Sequence, residues 1–270
     1  MSAPSFDGLF SLEGRTALVT GGSRGIGEMI AAGFLAHGAK VYVSARKVEQ
    51  CDETAARLSE TYGRPCVSIP GDLSNLDGIA KVVAALKDRE SSLDILVNNA
   101  GASWGAPLEE FPEKGWDKVM DTNVKGVFFL TQQLLPLLRA AASPESPARV
   151  VNIGSIDGLH NPSFEAYPYG ASKAALHHLT RILAARLVRD DVLVNAIAPG
   201  PFPTWMLSTG VGFGGAVEGV DWDLVARTNP RRRVGTAEDI AGLAIYLCSR
   251  AGAFTVGETI TCDGGSFAKS

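Results

Sequence analysis

The feature that most constrains the fold is a regular alternation between short apolar runs and longer segments in which apolar residues recur at helical spacing. Strands are predicted at Thr16–Thr20, Lys40–Ala45, Cys66–Pro70, Leu93–Asn98, Arg149–Ile153, Val192–Ala198 and Glu258–Cys262. Helices are predicted at Gly25–His37, Val48–Tyr62, Asn75–Arg89, Trp116–Leu138, Pro168–Val188 and Ala237–Cys248. Alternating units of this kind join parallel strands by right-handed crossovers.

The predicted strands are continuous runs of valine, isoleucine and leucine rather than alternating apolar and polar residues. Continuous runs indicate strands that are buried on both faces, because helices cover both sides of the sheet. The sequence therefore predicts an α/β fold: a single Rossmann-like, doubly wound parallel sheet of about seven strands with helices on both faces. We expect residues 1–270 to form one domain, with an inserted loop around residues 201–233, a weakly periodic stretch rich in glycine and proline.

Charge, hydropathy and cysteine spacing limit the class of protein. The net charge of −4 argues against a general nucleic-acid binder, which would carry a basic excess. No stretch approaches the roughly 20 uninterrupted apolar residues of a membrane span, so no membrane partner is expected. The four cysteines are scattered without metal spacing, and the first residues lack the basic and apolar regions of a signal peptide. We therefore expect reduced thiols in a cytoplasmic protein.

A glycine-rich loop, Thr20-Gly-Gly-Ser-Arg-Gly-Ile-Gly27, follows the first predicted strand directly. Glycine lets the backbone turn sharply and approach a pyrophosphate closely. The next helix presents its unpaired N–H groups and its positive dipole end to the same phosphates. The loop therefore predicts a dinucleotide site. Its predicted contact residues are Gly21, Ser23, Arg24, Gly25, Ile26 and Gly27.

The residues after the second predicted strand indicate which dinucleotide is bound. The strand ends in Ser44-Ala45-Arg46-Lys47, and no carboxylate occurs before Glu49. NAD enzymes of this architecture usually hold the ribose 2′-hydroxyl with an acid here, whereas a guanidinium grips a 2′-phosphate. Arg46, together with Arg24 from the glycine loop, predicts NADP(H) as the cofactor. We expect a preference over NAD(H) of roughly ten- to a hundredfold per arginine.

Tyr169 and Lys173 stand four residues apart, which places them on one face of a predicted helix. A free phenol, with a pKa of about 10, is a poor acid or base at neutral pH. A lysine ammonium and an oxidised nicotinamide both favour the phenolate, so we expect the pKa of Tyr169 to fall toward the working range. The neighbouring Tyr167 does not qualify, because Ala171 stands four residues after it.

The glycine spacing, Asn98-Asn-Ala-Gly101 after the fourth predicted strand, and the Tyr169–Lys173 pair resemble the short-chain dehydrogenase/reductase family, from about Leu12 to Gly265. The resemblance implies an oxidoreductase that moves a hydride between NADP(H) and a carbonyl or secondary alcohol, with Tyr169 as acid/base. It implies that Ser155 orients the carbonyl oxygen and that Lys173 contacts the nicotinamide ribose. It also implies that Asn123 holds a water near the lysine in a proton relay.

The same resemblance implies further cofactor contacts, at the adenosine end and at the nicotinamide end. They are Asp72, Leu73, Asn99, Ala100, Gly101, Pro199, Gly200, Phe202 and Thr204. Asp72 is equally consistent with an ordinary loop or helix-start residue.

The sequence predicts the reaction type more closely than it predicts the substrate. The predicted loop contains apolar residues that would suit an apolar substrate, but ordinary packing of an irregular loop explains them equally well. They are Trp205, Met206, Leu207, Val211, Phe213, Val217 and Trp222. We expect Trp104 to face the same cleft. The segments 102–106 and 132–139 resemble bacterial β-ketoacyl reductase-like members of the family, including the rhamnolipid-pathway type. This favours reduction of a ketone or β-ketoacyl substrate. The alternatives are a dehydrogenase of a sugar acid, steroid or other secondary alcohol, and a non-catalytic dinucleotide sensor.

Metal binding and assembly are the remaining questions. No metal site is expected, because His37, His160, His177 and His178 lack metal spacing. The run Arg231–Arg233 either binds an acidic thioester carrier or is solvated or at an interface. The family resemblance implies a homotetramer or homodimer, with Val124–Leu138, the Tyr169 helix and residues 264–270 as candidate contacts.

Overall fold

The computed structural model of the chain describes residues 5–161, 164–208 and 220–269. Its strands are β1 (Thr16–Thr20), β2 (Lys40–Ser44), β3 (Cys66–Ser68), β4 (Ile95–Asn98), β5 (Ala148–Ile153), β6 (Val192–Pro199) and β7 (Thr259–Cys262). They form one seven-stranded sheet in the order β3-β2-β1-β4-β5-β6-β7, and every neighbouring pair is parallel. The predicted doubly wound parallel sheet is therefore confirmed. Four residues named in the sequence analysis, Val211, Phe213, Val217 and Ser270, lie outside the described ranges.

The order of the strands reverses at β1, and this reversal positions the site. Val19 of β1 pairs with Val43 of β2 on one side and with Val97 of β4 on the other. The chain leaves β1 and β4 at the same edge of the sheet, so the glycine loop and the segment after Asn98 lie side by side. Ligands of open α/β sheets bind in the crevice at such a reversal.

Helices cover both faces of the sheet. They are α1 (Gly25–Ala36), α2 (Val48–Tyr62), α3 (Leu76–Lys87), α4 (Glu113–Met120), α5 (Gly126–Ala141), α6 (Tyr167–Leu187), α7 (Trp205–Ser208), α8 (Trp222–Thr228), α9 (Ala237–Cys248) and α10 (Ser266–Lys269). The helix predicted at Trp116–Leu138 begins earlier, after Pro112, and consists of α4 and α5 joined by a π-helical turn, Asp121–Lys125. A π turn widens the helix locally and is often found at functional sites.

Two apolar clusters form the core, one on each face of the sheet. Leu18 and Val19 are neighbours on β1 but belong to different clusters, because successive strand residues point to opposite faces. Phe34 of α1 packs in the cluster with Val19, and Leu134 of α5 packs in the cluster with Leu18. Both faces of the strand are therefore apolar, which explains the continuous runs in the sequence.

Three observations bear on the class of protein. Within the described ranges, no helix combines the length and apolar character that crossing a bilayer requires. The same residues contain no cluster of three or more His, Cys, Asp or Glu side chains suited to a metal ion. Cys51, Cys66, Cys248 and Cys262 are free thiols.

Candidate active site

A cleft of about 470 Å³ opens at the carboxyl ends of the strands. The structure brings most of the predicted site residues together there. Those that line it are Gly21, Ser23, Arg24, Gly25, Ile26, Arg46, Asp72, Leu73, Asn99, Ala100, Gly101, Ser155, Tyr169, Lys173, Pro199, Gly200, Phe202 and Thr204. Two further predicted residues, Gly27 and Asn123, are not among the described residues that line the cleft.

The glycine loop turns as its sequence predicts. Gly21 and Gly25 have φ angles of +62° and +56°, a region that favours glycine. Gly27 serves the packing behind the loop, because a Cβ there would collide with the carbonyl oxygen of Gly21 and the amide of Asn99. Arg24, the N-cap of α1, makes no capping hydrogen bond with its side chain. The first turn of α1 therefore offers its N–H groups to an anion.

Thr20 ties the glycine loop to the segment after β4. Its hydroxyl donates to the carbonyl oxygen of Val97 at 3.1 Å and accepts from the backbone N–H groups of Asn99 and Ala100 at 2.9 and 3.0 Å. The Asn99 amide donates in turn to the carbonyl oxygen of Thr20 at 2.8 Å. These bonds fix the two loops that meet where the strand order reverses.

Two arginines lie at one end of the cleft. Arg46 follows β2, and Arg24 projects from the glycine loop. Burial lowers the pKa of Arg24, and the positive charge of Arg46 lowers it further, so the two guanidinium groups lie close enough to interact. Two like charges side by side favour an anion between them. Asp72, which follows β3 and also lines the cleft, accepts a hydrogen bond from the backbone N–H of Ser74 at 3.0 Å.

Tyr169, Lys173 and Ser155 lie at the other end of the cleft. Tyr169 stands in the first turn of α6, where Pro168 occupies a position that tolerates proline. The Lys173 ammonium lies 5.5 Å from the centre of the Tyr169 ring and donates to the carbonyl oxygen of Ile153 at 2.8 Å. Ser155 begins the turn after β5, so its hydroxyl reaches the cleft beside them.

The protein's own groups raise the pKa of Tyr169 rather than lower it, and the predicted fall, which also counts the charge of a bound oxidised nicotinamide, stays a prediction. Burial and the negative charge of the Asp157 carboxylate together raise the pKa of Tyr169 to about 12, while a hydrogen bond with Ser155 opposes both. Burial lowers the pKa of Lys173 to about 8. Desolvation disfavours the charged form of each group and is the largest cause of both shifts. The phenol is therefore protonated at neutral pH.

Asn123 lies in the π turn, and both N–H groups of its side-chain amide donate to protein groups. Its carbonyl oxygen accepts from the N–H of Ala102 at 2.8 Å, and its amide donates to the carbonyl oxygen of Ala102 at 2.9 Å and to Ser172 Oγ at 2.9 Å. Ser172 in turn donates to the carbonyl oxygen of Tyr169 at 2.8 Å. The Asn123 side chain therefore joins the loop after β4 to α6, and its role in holding a water near Lys173 stays a prediction.

Asp157 is a site residue that the sequence analysis missed. It lies two residues after Ser155, lines the cleft, and accepts a hydrogen bond from the Ser155 hydroxyl at 3.1 Å. The only signal in the sequence is an acid two residues beyond a predicted serine, and a turn residue gives the same pattern.

The segment after β6 also lines the cleft. Phe202 is buried and packs against Gly235, and Thr204 lies against Gly25 of the glycine loop. Of the predicted substrate-loop residues that the structure describes, Trp205, Met206 and Leu207 line the cleft, and Trp222 does not.

Two other expectations concern residues outside the cleft lining. Trp104 packs on Gly115 of α4, with the Lys118 ammonium 5.2 Å from its ring, because glycine at position 115 leaves room for the indole. The expectation that Trp104 faces the cleft is therefore wrong. Arg233 forms an ion pair with Asp239 and donates to it at 2.9 Å, so one member of the arginine run is already neutralised.

Comparison with known proteins places this site in a family. A family model described as "Enoyl-(Acyl carrier protein) reductase" matches residues 21–266. The chain is 52% identical over 256 residues to the rhamnolipids biosynthesis 3-oxoacyl-[acyl-carrier-protein] reductase of Pseudomonas aeruginosa. The alignment covers 95% of this chain and 97% of that protein. It is 37% identical over 258 residues to gluconate 5-dehydrogenase of Gluconobacter oxydans, with 95% and 96% covered.

Solved structures of similar proteins have the same fold as this chain. The active-site complex of Pseudomonas aeruginosa RhlG with NADP superposes with a TM-score of 0.89 at 50% identity, over 97% of this chain and 100% of that one. L-sorbose reductase of Gluconobacter frateurii, complexed with NADPH and L-sorbose, gives a TM-score of 0.87 at 28% identity, over 96% and 98%. The parallel sheet, the glycine loop and the full-length similarity together show that this chain is a member of the short-chain dehydrogenase/reductase family of oxidoreductases.

Proposed function

We propose that this protein is an NADP(H)-dependent reductase that converts a ketone, specifically a 3-oxoacyl thioester, into the corresponding secondary alcohol. The observation that carries the proposal is that one cleft contains both a positively charged end and an end with proton-transfer groups. Arg24 and Arg46 supply positive charge at one end, and Ser155, Tyr169 and Lys173 supply proton-transfer groups at the other.

The residues present fit an NADP(H) cofactor. Gly21 and Gly25 leave the loop free of side chains where phosphates would approach, and the first turn of α1 has no side-chain cap. Arg46 stands where an NAD enzyme usually carries an acid, so the pocket favours a 2′-phosphate over a hydroxyl. RhlG and L-sorbose reductase were solved with NADP and NADPH respectively, which supports the same assignment here.

The mechanism follows from the positions and proton affinities of the side chains. When bound, NADPH supplies the hydride that reduces the carbonyl carbon. Tyr169 donates its proton to the carbonyl oxygen, because its raised pKa of about 12 keeps the phenol protonated at neutral pH. Ser155 positions that oxygen by a hydrogen bond and stabilises its developing negative charge. The Lys173 ammonium, held by Ile153, stabilises the phenolate that remains after proton transfer.

The substrate class rests on similarity and on the cleft wall. The relative at 52% identity is named for 3-oxoacyl-[acyl-carrier-protein] reduction. Trp205, Met206 and Leu207 give the cleft mouth an apolar wall that suits an acyl chain. A sugar-acid dehydrogenase is the second candidate, because gluconate 5-dehydrogenase is 37% identical over nearly the whole chain.

A substrate panel separates the candidates. Purified protein is assayed with NADPH and with NADH against acetoacetyl and longer 3-oxoacyl thioesters, and in the reverse direction against gluconate, polyols and steroid alcohols. We expect NADPH-dependent reduction of the thioesters, with kcat/KM rising as the acyl chain lengthens. Turnover confined to sugar acids would favour the second candidate. NADPH binding without turnover of any compound would favour a non-catalytic sensor.

We further propose that the chain is one domain that acts in the cytoplasm as a homotetramer or homodimer. Helices α5 and α6 both carry exposed apolar residues, among them Phe128 and Ile182, which is 53% exposed. Burial of such residues between subunits would be favourable. Size-exclusion chromatography with light scattering tests the assembly, and a stable monomer at micromolar concentration would contradict it.

A further inference from the structure

Arg24 contacts the wall of the cleft as well as bordering the expected site of the cofactor phosphates. Its guanidinium group lies over the indole ring of Trp205, 4.2 Å from the ring centroid. Arg24 has an extended backbone, and its side chain makes no capping bond to α1, which leaves the side chain available to reach α7. One residue of the cofactor end is therefore in direct contact with one residue of the predicted substrate loop.

Helix α7 depends on such contacts for its position. It has only four residues, and a helix of that length is not stable by itself in water. Further contacts hold its start, because the Leu207 N–H donates to Thr204 Oγ1 at 3.3 Å and Thr204 lies against Gly25. Loss of the Arg24 contact should therefore let the indole of Trp205 move relative to the cleft.

We propose that Arg24 is a positioning residue for the substrate: by stacking on Trp205, it holds the indole as the wall against which the acyl chain packs, and so strengthens the preference for long chains. The inference deepens the proposed function and rests on it, because it concerns the acyl chain of the thioester. Among the described residues, the cation stacked on Trp205 is Arg24 and not Arg46.

The geometry of a guanidinium group explains how Arg24 can serve both ligands. Such a group donates hydrogen bonds from its edges and stacks with its faces. Because the contact with Trp205 uses a face, the N–H groups on the edges can still bind the 2′-phosphate. Phosphate binding and the stack on the indole are therefore compatible.

Trp205 is suited to contact an acyl chain. It lines the cleft together with Met206 and Leu207, and it is 50% exposed although Arg24 covers part of its ring. An apolar chain that packs on this surface leaves water, and each methylene group that is buried tightens binding by about fourfold. Chain length is therefore the property of the substrate that this contact would distinguish.

The test is the chain-length preference of the NADP⁺-saturated protein, measured by calorimetry with saturated butanoyl and decanoyl thioesters of N-acetylcysteamine. These probes have no 3-oxo group to reduce, so the readout does not depend on turnover. The preference is the Kd of the butanoyl probe divided by that of the decanoyl probe. We expect Trp205→Ala to lower this ratio by about four- to sixteenfold, as for one or two methylene contacts. Arg24→Ala should lower it by roughly two- to fivefold, as for loss of a partly exposed cation–π contact.

Arg46→Ala is the matched control, because Arg46 lines the same end of the cleft and is expected to bind the same phosphate. It should weaken NADPH binding and leave the chain-length ratio unchanged. The double variant Arg24→Ala/Trp205→Ala should show the ratio of Trp205→Ala alone, since the arginine acts through the indole. If Arg24→Ala does not fold, Arg24→Gln is measured in its place and the same ratio is expected.

Several results would overturn the inference. An unchanged ratio in Arg24→Ala, or an equal fall in Arg46→Ala, would show that the stack does not select the chain. A ratio in the double variant below that of Trp205→Ala would show that Arg24 acts by another route. Absence of NADPH-dependent turnover of 3-oxoacyl thioesters in the wild type, beside ratios that shift as expected, would overturn the proposed function alone. The two failures are therefore distinguishable.

Discussion

The guanidinium group of Arg24 lies over the indole ring of Trp205, 4.2 Å from its centroid. Arg24 belongs to the glycine loop and Trp205 begins α7, so the stack joins the two sides of the cleft across its mouth. The contact between Thr204 and Gly25 lies beside it. One of the two arginines that we expect to bind the 2′-phosphate is thus held by a residue of the predicted substrate loop.

Replacement of Trp205 by alanine should weaken NADPH binding selectively. A partly exposed cation–π contact contributes about 0.5–1 kcal/mol, which corresponds to roughly a two- to fivefold rise in the Kd for NADPH. The Kd for NADH should change less, because NADH lacks the phosphate that Arg24 binds. Titration of cofactor fluorescence measures both values. Trp222→Ala, a tryptophan from the same segment that does not line the cleft, is the control; equal losses for both cofactors would contradict the prediction.

Replacement of Arg46 by alanine should reduce the preference for NADPH by roughly ten- to a hundredfold, because one charge-assisted hydrogen-bonding group is removed. The measurement is the ratio of kcat/KM for NADPH to that for NADH. Arg57→Ala is a suitable control, since Arg57 is an exposed arginine of α2 that pairs with Glu28 at 2.6 Å. An unchanged ratio in Arg46→Ala would mean that Arg46 does not select the cofactor.

Asn123→Ala should destabilise the fold. The substitution leaves the N–H and carbonyl groups of Ala102 without the bonds that the amide makes. Each unsatisfied buried group costs about 1–3 kcal/mol, so the loss of both should lower the free energy of unfolding by about 2–6 kcal/mol. Lys125→Ala, which breaks an exposed pair with Asp121, should cost less than about 1 kcal/mol. Denaturant unfolding measures both, and an equal effect in the two variants would argue against this role.

His177 should make stability depend on pH. Burial, together with the positive charge of Lys173, lowers the pKa of His177 from 6.5 to about 4. Between these values the unfolded chain binds a proton that the folded chain does not, so stability is lost as the pH falls from 6.5 toward 4. The loss amounts to roughly 3 kcal/mol.

The variant His177→Gln cannot titrate and should therefore show a flatter dependence of unfolding free energy on pH. His37→Gln, at an exposed position, should keep the wild-type dependence. Identical slopes for wild type and His177→Gln over this pH range would show that His177 is not responsible.

The fold and the location of the site could be predicted from sequence because they depend on local patterns. Continuous apolar strands require two covered faces, and a glycine loop after the first strand must lie at the carboxyl edge of the sheet. Tyr169 and Lys173 meet because helical spacing places them on one face. Each of these inferences needs only residue type and spacing.

The remaining features depend on packing, which spacing does not reveal. Asp157 reaches Ser155 only because the turn after β5 folds against α6. The pKa of Tyr169 rises because packing removes water from the ring, and no sequence pattern reports how completely that occurs. Trp104 turns toward α4 because Gly115 leaves room there, a space that depends on the tertiary structure.

The most direct test of the central claim, that Tyr169 is the proton donor, is the kinetics of Tyr169→Phe with NADPH and a 3-oxoacyl thioester. The substitution removes one hydroxyl from a ring that remains packed in place, so NADPH binding should be nearly unchanged. A single proton-transfer group contributes about 10²–10⁴-fold, and we expect kcat to fall by at least that factor. Retention of near-wild-type kcat in Tyr169→Phe, with Ser155 and Lys173 intact, would contradict the assignment.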